Sequence, residues 1–217
     1  MRLRIGRPRV ALIVAPHPDD EVIGAGGLIE RLLAARTRVH VAVVSDGAAS
    51  HPVSAKWPRR RLIAERRRES RRALRRLGLG AGTVTFLSLP DGSLCAAATQ
   101  CRRAIRREIA RLSQLDLIVG PDPADAHPDH RAVAAAIAGC GIPARRLAYR
   151  VWPHDRHRHS AALSVRMTGG WLAKRSMIAA YRTQLGLIRD DPGGFAIARH
   201  ELAAFAHPIE QYRELRA

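Results

Sequence analysis

The stretch VALIVAPHPDDE, residues 10–21, joins an apolar run directly to a cluster of acids. Val10–Ala15 is a short continuous apolar run, which is typical of a strand buried on both faces of a parallel sheet. The six residues that follow hold three carboxylates and one imidazole. In open parallel sheets, ligands bind at the carboxyl ends of the strands, where helix N-termini also gather. This stretch therefore predicts a buried first strand that ends in a functional loop.

The rest of the chain alternates strand-like and helix-like segments, which predicts an α/β fold with a mostly parallel sheet flanked by helices. The further predicted strands are 39–45, 83–89, 115–119, 146–152 and 162–167. The predicted helices are 22–36, 57–77, 98–112, 170–187 and a helical tail over 195–216. We expect a single domain over residues 1–217, because 47% apolar residues at this length suffice for one buried core.

Polar loops follow the first four predicted strands, and parallel geometry brings these loops to one edge of the sheet. The loops are residues 17–21, 45–47, 90–92 and 127–130. Several carboxylates on one rim repel each other unless a cation lies among them. The loops therefore predict a divalent metal site. Imidazole with carboxylate suits zinc or ferrous iron, and the available donors are His17, Asp20 and His130.

Metal-assisted hydrolysis also needs a base that accepts a proton from water and a donor that meets the oxyanion. Asp19 is the candidate base, since it neighbours a candidate ligand and is not itself needed as one. His127 lies three residues before His130, so both imidazoles project toward one site from the first turn of a helix. We expect Asp129 to orient His127 and to favour its charged form.

The two motifs His17-Pro-Asp-Asp-Glu21 and His127-Pro-Asp-His130 together resemble the LmbE-like (PIG-L) family of zinc-dependent deacetylases. The resemblance extends over most of the chain and includes residues 45–47, 66–69, 77–78, 89–92, 181–184, 191–192 and 195–210. It implies a Rossmann-like fold and the removal of acyl groups from N-acylated sugars, commonly N-acetylglucosamine conjugates.

The resemblance also implies roles for single residues. His17, Asp20 and His130 would be the zinc ligands, Asp19 the general base and His127 the acid that stabilises the oxyanion. Arg66 and Asp91 would contact the sugar, although Arg67 or Arg68 could take the place of Arg66. The expected cofactor is Zn²⁺ with Fe²⁺ as the alternative, and the expected partner is a small N-acyl amino sugar or glycoconjugate. The acyl chain, the aglycone and the oligomeric state stay open.

Two other classes of protein compete with this interpretation. A nucleotide-binding protein would use the glycines of residues 24–27, with Asp46 as the acid that binds ribose. However, the acidic residues 17–21 occupy the place where a pyrophosphate needs bare backbone amides. The net charge of +18 would also fit a nucleic-acid-binding protein. The chain has no helix-turn-helix, RRM or finger motif, so we expect no specific nucleic-acid partner.

The location of the protein is predicted from cysteines and hydropathy. Three cysteines without metal or disulfide spacing indicate a reducing compartment, hence the cytoplasm. The apolar stretch at 10–15 is too short for a secretory signal, and no apolar segment approaches the roughly 20 residues of a membrane helix. His154, His157 and His159 are expected to lie in a solvated loop at the rim of the site rather than to bind metal.

Overall fold

The computed structural model describes residues 1–152 and 163–215, which form a sheet of seven strands with helices on both faces. The strands are β1 (Val10–Ala15), β2 (Arg38–Ser45), β3 (Val84–Leu89), β4 (Leu115–Pro121), β5 (Arg145–Tyr149), β6 (Leu163–Arg166) and β7 (Ile209–Leu215). The α-helices are α1 (Asp20–Ala34), α2 (Arg59–Arg76), α3 (Ala98–Ala110), α4 (Pro128–Ala138), α5 (Gly170–Ile178) and α6 (Arg199–Phe205). Short 3-10 turns lie at Ala48–Ser50, Ala81–Thr83 and Arg182–Gln184.

The strands follow the order β3-β2-β1-β4-β5-β7-β6, and the first five are parallel to one another. This confirms the predicted α/β class and the mostly parallel sheet. β7 and β6 complete the sheet in antiparallel pairs. The order changes direction between β1 and β4, because β2 lies on one side of β1 and β4 on the other. Such a switch point opens a crevice at the carboxyl ends of the two strands.

The core lies on both sides of β1, whose six residues are all buried. Ala11, Ile13 and Ala15 face one apolar cluster, whereas Leu12 and Val14 face the other, as the two-residue period of a strand requires. Helices α1, α2 and α5 contribute to the first cluster, and α3 and α4 contribute to the second. The strand that carries the acidic loop is therefore held rigidly in the centre of the molecule.

The predicted helical tail over 195–216 is wrong in its second half. Within its described part, residues 195–215, only Arg199–Phe205 is α-helical, and Ile209–Leu215 forms β7 between β5 and β6. The inward side chains of β7 include Glu210 and Tyr212, so a buried carboxylate stands where an alternating strand would show an apolar residue. For this reason, the sequence of residues 209–215 does not show the alternation of apolar and polar residues that predicts a strand.

Two further predicted elements end earlier than expected. The helix predicted to reach residue 187 ends at Ile178, and Thr183 instead donates from its backbone and hydroxyl to Glu69 of α2. The strand predicted to reach residue 152 ends at Tyr149. His154, His157 and His159 lie outside the described residues. Within the described ranges, no helix has both the length and the apolar character that a bilayer span requires.

Glu210 fixes β7 against α1 through a buried polar network. Its carboxylate accepts hydrogen bonds from the backbone N–H of Gly27 at 2.7 Å and of Leu28 at 3.0 Å. It also pairs with Lys174 of α5 and accepts the Tyr212 hydroxyl at 2.6 Å. Both members of the ion pair are nearly fully buried. This network ties the helix that begins at the acidic loop to the far end of the chain.

Replacing Lys174 with methionine is expected to lower the free energy of unfolding by about 3–5 kcal/mol, because the Glu210 carboxylate loses its buried counter-charge. Urea denaturation followed by circular dichroism measures this loss. The matched control is Arg175→Met on the exposed side of the same helix, where the guanidinium lies over Trp171. This change should cost about 1 kcal/mol or less. Equal losses in the two variants would contradict the role of the buried pair.

Candidate metal centre and active site

The candidate metal ligands meet at the switch point of the sheet. His17 and Asp20 follow β1, and His130 lies in the first turn of α4, which follows β4. Asp20 and His130 are buried, with 3% and 0% of their surface exposed. Residues more than a hundred positions apart in the sequence thus come together because β1 and β4 are parallel neighbours.

Three donor atoms of these residues form a nearly equilateral triangle. Asp20 Oδ2 lies 3.2 Å from His17 Nδ1 and 3.2 Å from His130 Nε2. The two imidazole nitrogens are 3.3 Å apart. A tetrahedral zinc ion with ligands at about 2.0–2.1 Å holds its ligand atoms about 3.3–3.4 Å from one another. The triangle therefore has the size and the donor set that a divalent metal needs.

The charges around the triangle also favour a cation. Burial opposes the charged imidazole of His130, but Asp20 and Asp125 outweigh it and raise the pKa of His130 to about 9. The pKa of His17 is likewise raised well above its usual value by Asp129, Asp20 and Asp91, against the effect of burial. Positive charge at this point is thus stabilised, whether it is carried by protons or by a metal ion.

Each imidazole of the triangle has a carboxylate behind it. His17 Nε2 lies 3.1 Å from Asp91 Oδ1 and 3.3 Å from Asp129 Oδ2. His130 Nδ1 lies 3.2 Å from Asp125 Oδ2. These contacts favour a proton on the outer nitrogen of each ring, which leaves the inner nitrogen free to bind a metal.

Asp125 is a residue that the sequence interpretation missed. It is fully buried, and its carboxylate accepts the backbone N–H of His127 at 3.0 Å and of Val151 at 3.1 Å. It therefore joins the start of α4 to the segment after β5. Its position two residues before His127, in the segment between β4 and α4, is the signal that the sequence offers. Only the fold reveals that it supports His130.

Replacing Asp125 with asparagine is expected to weaken zinc binding by about 10- to 100-fold, since the imidazole of His130 loses a charged support. Competition with a chromogenic chelator measures the affinity. Asp122→Asn is the matched control, because Asp122 is buried in the same loop but pairs with Arg213 at 2.7 Å. We expect the control to bind zinc as the wild type does. The same weakening in both variants would assign the effect to the loop as a whole.

Asp19 is held beside the triangle in an unusual conformation. Its φ of 135° is rare for a residue with a side chain and costs about 1–3 kcal/mol. The backbone N–H of Asp19 donates to Glu21 at 2.9 Å, and Glu21 also accepts the Tyr181 hydroxyl at 2.7 Å. Burial raises the pKa of the Asp19 carboxyl, and nearby Arg66 counteracts this effect. A buried carboxyl with a raised pKa is the form that proton transfer near neutral pH requires.

Arg66 is the arginine of α2 that reaches this site. It is 2% exposed and donates to the backbone oxygens of Pro18 and Gly47, both at 2.8 Å, and its guanidinium lies 3.3 Å from Asp19. Arg67 donates to Ser88, and Arg68 pairs with Glu65. Arg66 therefore contacts Asp19 and joins the loops that follow β1 and β2.

His127 forms the N-cap of α4 and faces the imidazoles of the candidate ligands His17 and His130. Its ring centroid lies 4.8 Å from that of His17 and 5.0 Å from that of His130. Burial and these two imidazoles lower the pKa of His127. Its Nδ1 accepts the backbone N–H of Asp129 at 3.2 Å, which leaves the proton on Nε2. A neutral imidazole with this proton is a hydrogen-bond donor to a developing oxyanion.

Asp129 meets His127 differently from the sequence expectation. The backbone N–H of Asp129, rather than its carboxylate, contacts the ring of His127. The carboxylate accepts the backbone N–H of Gly92 at 2.8 Å and of Leu94 at 3.0 Å, and it faces His17. Asp129 therefore connects the loop after β3 to a candidate ligand, and the low pKa of His127 is opposite to the charged form expected.

A cavity of about 230 Å³ opens above these residues. Six candidate site residues line it, namely His17, Asp19, Asp20, Arg66, Asp91 and His127. His130 lies beneath, fully buried, with a nitrogen in the triangle. The arrangement combines a cation site, a carboxyl of raised pKa and an imidazole donor around one opening. Metal-assisted hydrolysis requires these three kinds of group.

Comparisons with known proteins give the chain a context. The PIG-L family model, described as GlcNAc-PI de-N-acetylase, matches residues 12–140, more than half of the chain. A 2'-N-acetylparomamine deacetylase of Streptomyces fradiae is 30% identical over 155 residues, which cover 65% of this chain and 54% of that protein. The chain spans about half the length of the curated deacetylases that it matches.

Solved structures share the fold over nearly the whole chain. The N,N'-diacetylchitobiose deacetylase of Pyrococcus horikoshii superposes with a TM-score of 0.72 at 21% identity, covering 98% of this chain and 87% of that one. A 4-carboxy-2-hydroxymuconate hydratase of Pseudomonas putida superposes with a TM-score of 0.66 at 15% identity, covering 96% and 97%. These likenesses show the fold alone, and the fold serves more than one reaction.

Proposed function

The chain belongs to the PIG-L family, and on that premise we propose that it is a metal-dependent amidohydrolase. Its substrate is an N-acylated amino sugar or glycoconjugate, from whose amide nitrogen it removes an acyl group, in the simplest case acetyl. The observation that carries this proposal is the triangle of His17, Asp20 and His130 beside Asp19 and His127 in one cavity.

His17, Asp20 and His130 would hold the metal ion. Zn²⁺ is the proposed ion and Fe²⁺ the alternative, since two imidazoles and a carboxylate suit both. A divalent ion there would supply Lewis acidity to activate water and to polarise the amide carbonyl. Asp91, Asp125 and Asp129 keep the two imidazoles oriented toward it.

Asp19 and His127 are the proposed proton acceptor and hydrogen-bond donor of the reaction. Asp19 accepts a proton from the attacking water, and the N–H of His127 donates a hydrogen bond to the oxyanion that forms on the amide carbon. The carbon–nitrogen bond then breaks, and Asp19 returns to the leaving nitrogen the proton that it accepted from water. One water is consumed, and the products are a free amine and a carboxylic acid.

Arg66 and Asp91 are the proposed sugar contacts, because both line the cavity. Each also forms an ion pair within the site: Arg66 contacts Asp19, and Asp91 contacts His17. A cytoplasmic location and the absence of a specific nucleic-acid partner remain predictions, as does the single domain.

The test is deacylation by the zinc-loaded protein. N-acetylglucosamine and a panel of its conjugates are incubated with the protein, and free amine and acetate are measured separately. We expect the two products in equal amounts, and we expect release to stop after chelation and to return with zinc. Failure of the zinc-loaded protein to release amine from any N-acyl amino sugar would overturn the proposal.

A further inference from the structure

We propose that the substrate carries an apolar group of several carbons, which packs against one wall of the cavity. This inference rests on the proposed function and specifies its substrate further. The group is either the acyl chain or the aglycone. We call the surface that would receive it the apolar wall; its residues are Ile23, Val151, Trp152, Phe195, Ile197 and Phe205.

The lining of the cavity divides into a polar group and an apolar group of residues. The first group consists of polar or small residues, namely Ala49, Ser50, Arg66, Asp91, Gly92 and Gln184. The apolar wall is built from α1, the residues after β5 and the segment that includes α6. It adjoins the polar residues where the backbone N–H of Phe195 donates to Ser50 and that of Ile197 donates to Gln184. His17 and Asp20 line the same cavity, so an amide held there has both groups of residues around it.

Aromatic rings form the centre of the apolar wall. The ring of Trp152 packs edge to face against Phe205, with centroids 5.2 Å apart, and against Phe195, with centroids 5.9 Å apart. Phe195 is 36% exposed, one of five large apolar side chains that the described residues expose. Exposed aromatic surface at a cavity is typical of a ligand-binding site rather than of a core.

The size of the apolar wall exceeds what an acetyl group needs. Trp152 and Phe195 are its accessible residues, whereas Ile23, Val151, Ile197 and Phe205 are at most 8% exposed. A single methyl group does not cover two aromatic rings, so part of their surface would stay in contact with water in a complex with an acetylated sugar. A longer alkyl or an aryl group removes this surface from water, and each buried methylene is worth about a fourfold gain in binding. The two groups of lining residues therefore fit an amphipathic substrate.

Two substrate series distinguish the source of the apolar group. The first varies the acyl chain of N-acylglucosamine from acetyl to octanoyl, and the second keeps N-acetyl and varies a 1-O-alkyl aglycone from methyl to octyl. We expect kcat/KM to rise by about fourfold per methylene over the first few methylenes in one series. The series that rises identifies the group on the apolar wall. A flat or falling response in both series, with N-acetylglucosamine still hydrolysed, would overturn this inference and leave the proposed function standing.

Variants of the wall test the same point. Phe195→Ala changes a partly exposed side chain, so its fold should be retained, and it is expected to reduce the slope of the rising series while hydrolysis of N-acetylglucosamine persists. Phe205→Leu serves as a second, milder variant of the buried part. The control is Trp171→Ala, an exposed aromatic residue outside the cavity, which should leave the slope unchanged. An unchanged slope in both wall variants would contradict the inference. If the wild-type protein hydrolyses none of the substrates, the proposed function is wrong as well.

Discussion

Asp19→Asn is expected to lower kcat by about 10²- to 10⁴-fold while the protein keeps one equivalent of zinc. Asparagine has the size of aspartate but cannot accept the proton of the attacking water. Its side chain also has the shape of aspartate, so the conformation at φ 135° should persist as in the wild type. Steady-state deacylation gives kcat, and elemental analysis of the purified protein gives the zinc content.

Asp20→Asn is the matched comparison, because it makes the same chemical change one residue further along the chain. Asp20 Oδ2 lies 3.2 Å from both ring nitrogens of the triangle, so its variant is expected to lose zinc as well as activity. A loss of zinc by Asp19→Asn and retention by Asp20→Asn would exchange the two proposed roles. Retained kcat in Asp19→Asn would remove Asp19 from the reaction.

The central part of the fold could be predicted from the sequence because its signals are local. β1 has the predicted bounds, since a continuous apolar run flanked by a polar loop needs no distant partner to be recognised. The convergence of His17, Asp20 and His130 followed from one general property, that parallel strands end at the same edge. The structure brings these three residues together as that reasoning required.

The remaining features depend on contacts between distant segments. Glu210 has its partners in α1 and α5, at Gly27, Leu28 and Lys174, so nothing near it in the sequence explains its burial. Asp125 lies close to His130 in the sequence, but its carboxylate is also held by the backbone N–H of Val151 after β5, which the sequence does not reveal. The apolar wall joins α1, the end of β5 and the tail, and its residues look like ordinary core positions in the sequence.

Replacing a proposed metal ligand should abolish both the deacylation activity and the rise of Tm with zinc. His130→Ala is expected to reduce deacylation to the background rate, because the triangle loses one of its three corners. In the wild type, zinc at 1,000 times its dissociation constant should stabilise the folded state by about 4 kcal/mol. For a domain of this size, that corresponds to a rise in Tm of roughly 8–16 °C. Differential scanning fluorimetry with and without zinc measures the shift, which should disappear in His130→Ala.

His40→Ala is the control for this experiment, since His40 lies on β2 and is not one of the residues that line the cavity. It should keep both the zinc-dependent shift and the activity, even if the change lowers Tm without zinc. Comparing the shift rather than Tm itself separates metal binding from general destabilisation, because only a bound ion makes Tm depend on zinc concentration. A full shift in His130→Ala would mean that the ion binds elsewhere, for instance among His17, Asp91 and Asp129, whose donor atoms also lie within 4.8 Å of one another. The size of the zinc-dependent rise in Tm in His130→Ala thus distinguishes a metal site at His17, Asp20 and His130 from one at His17, Asp91 and Asp129.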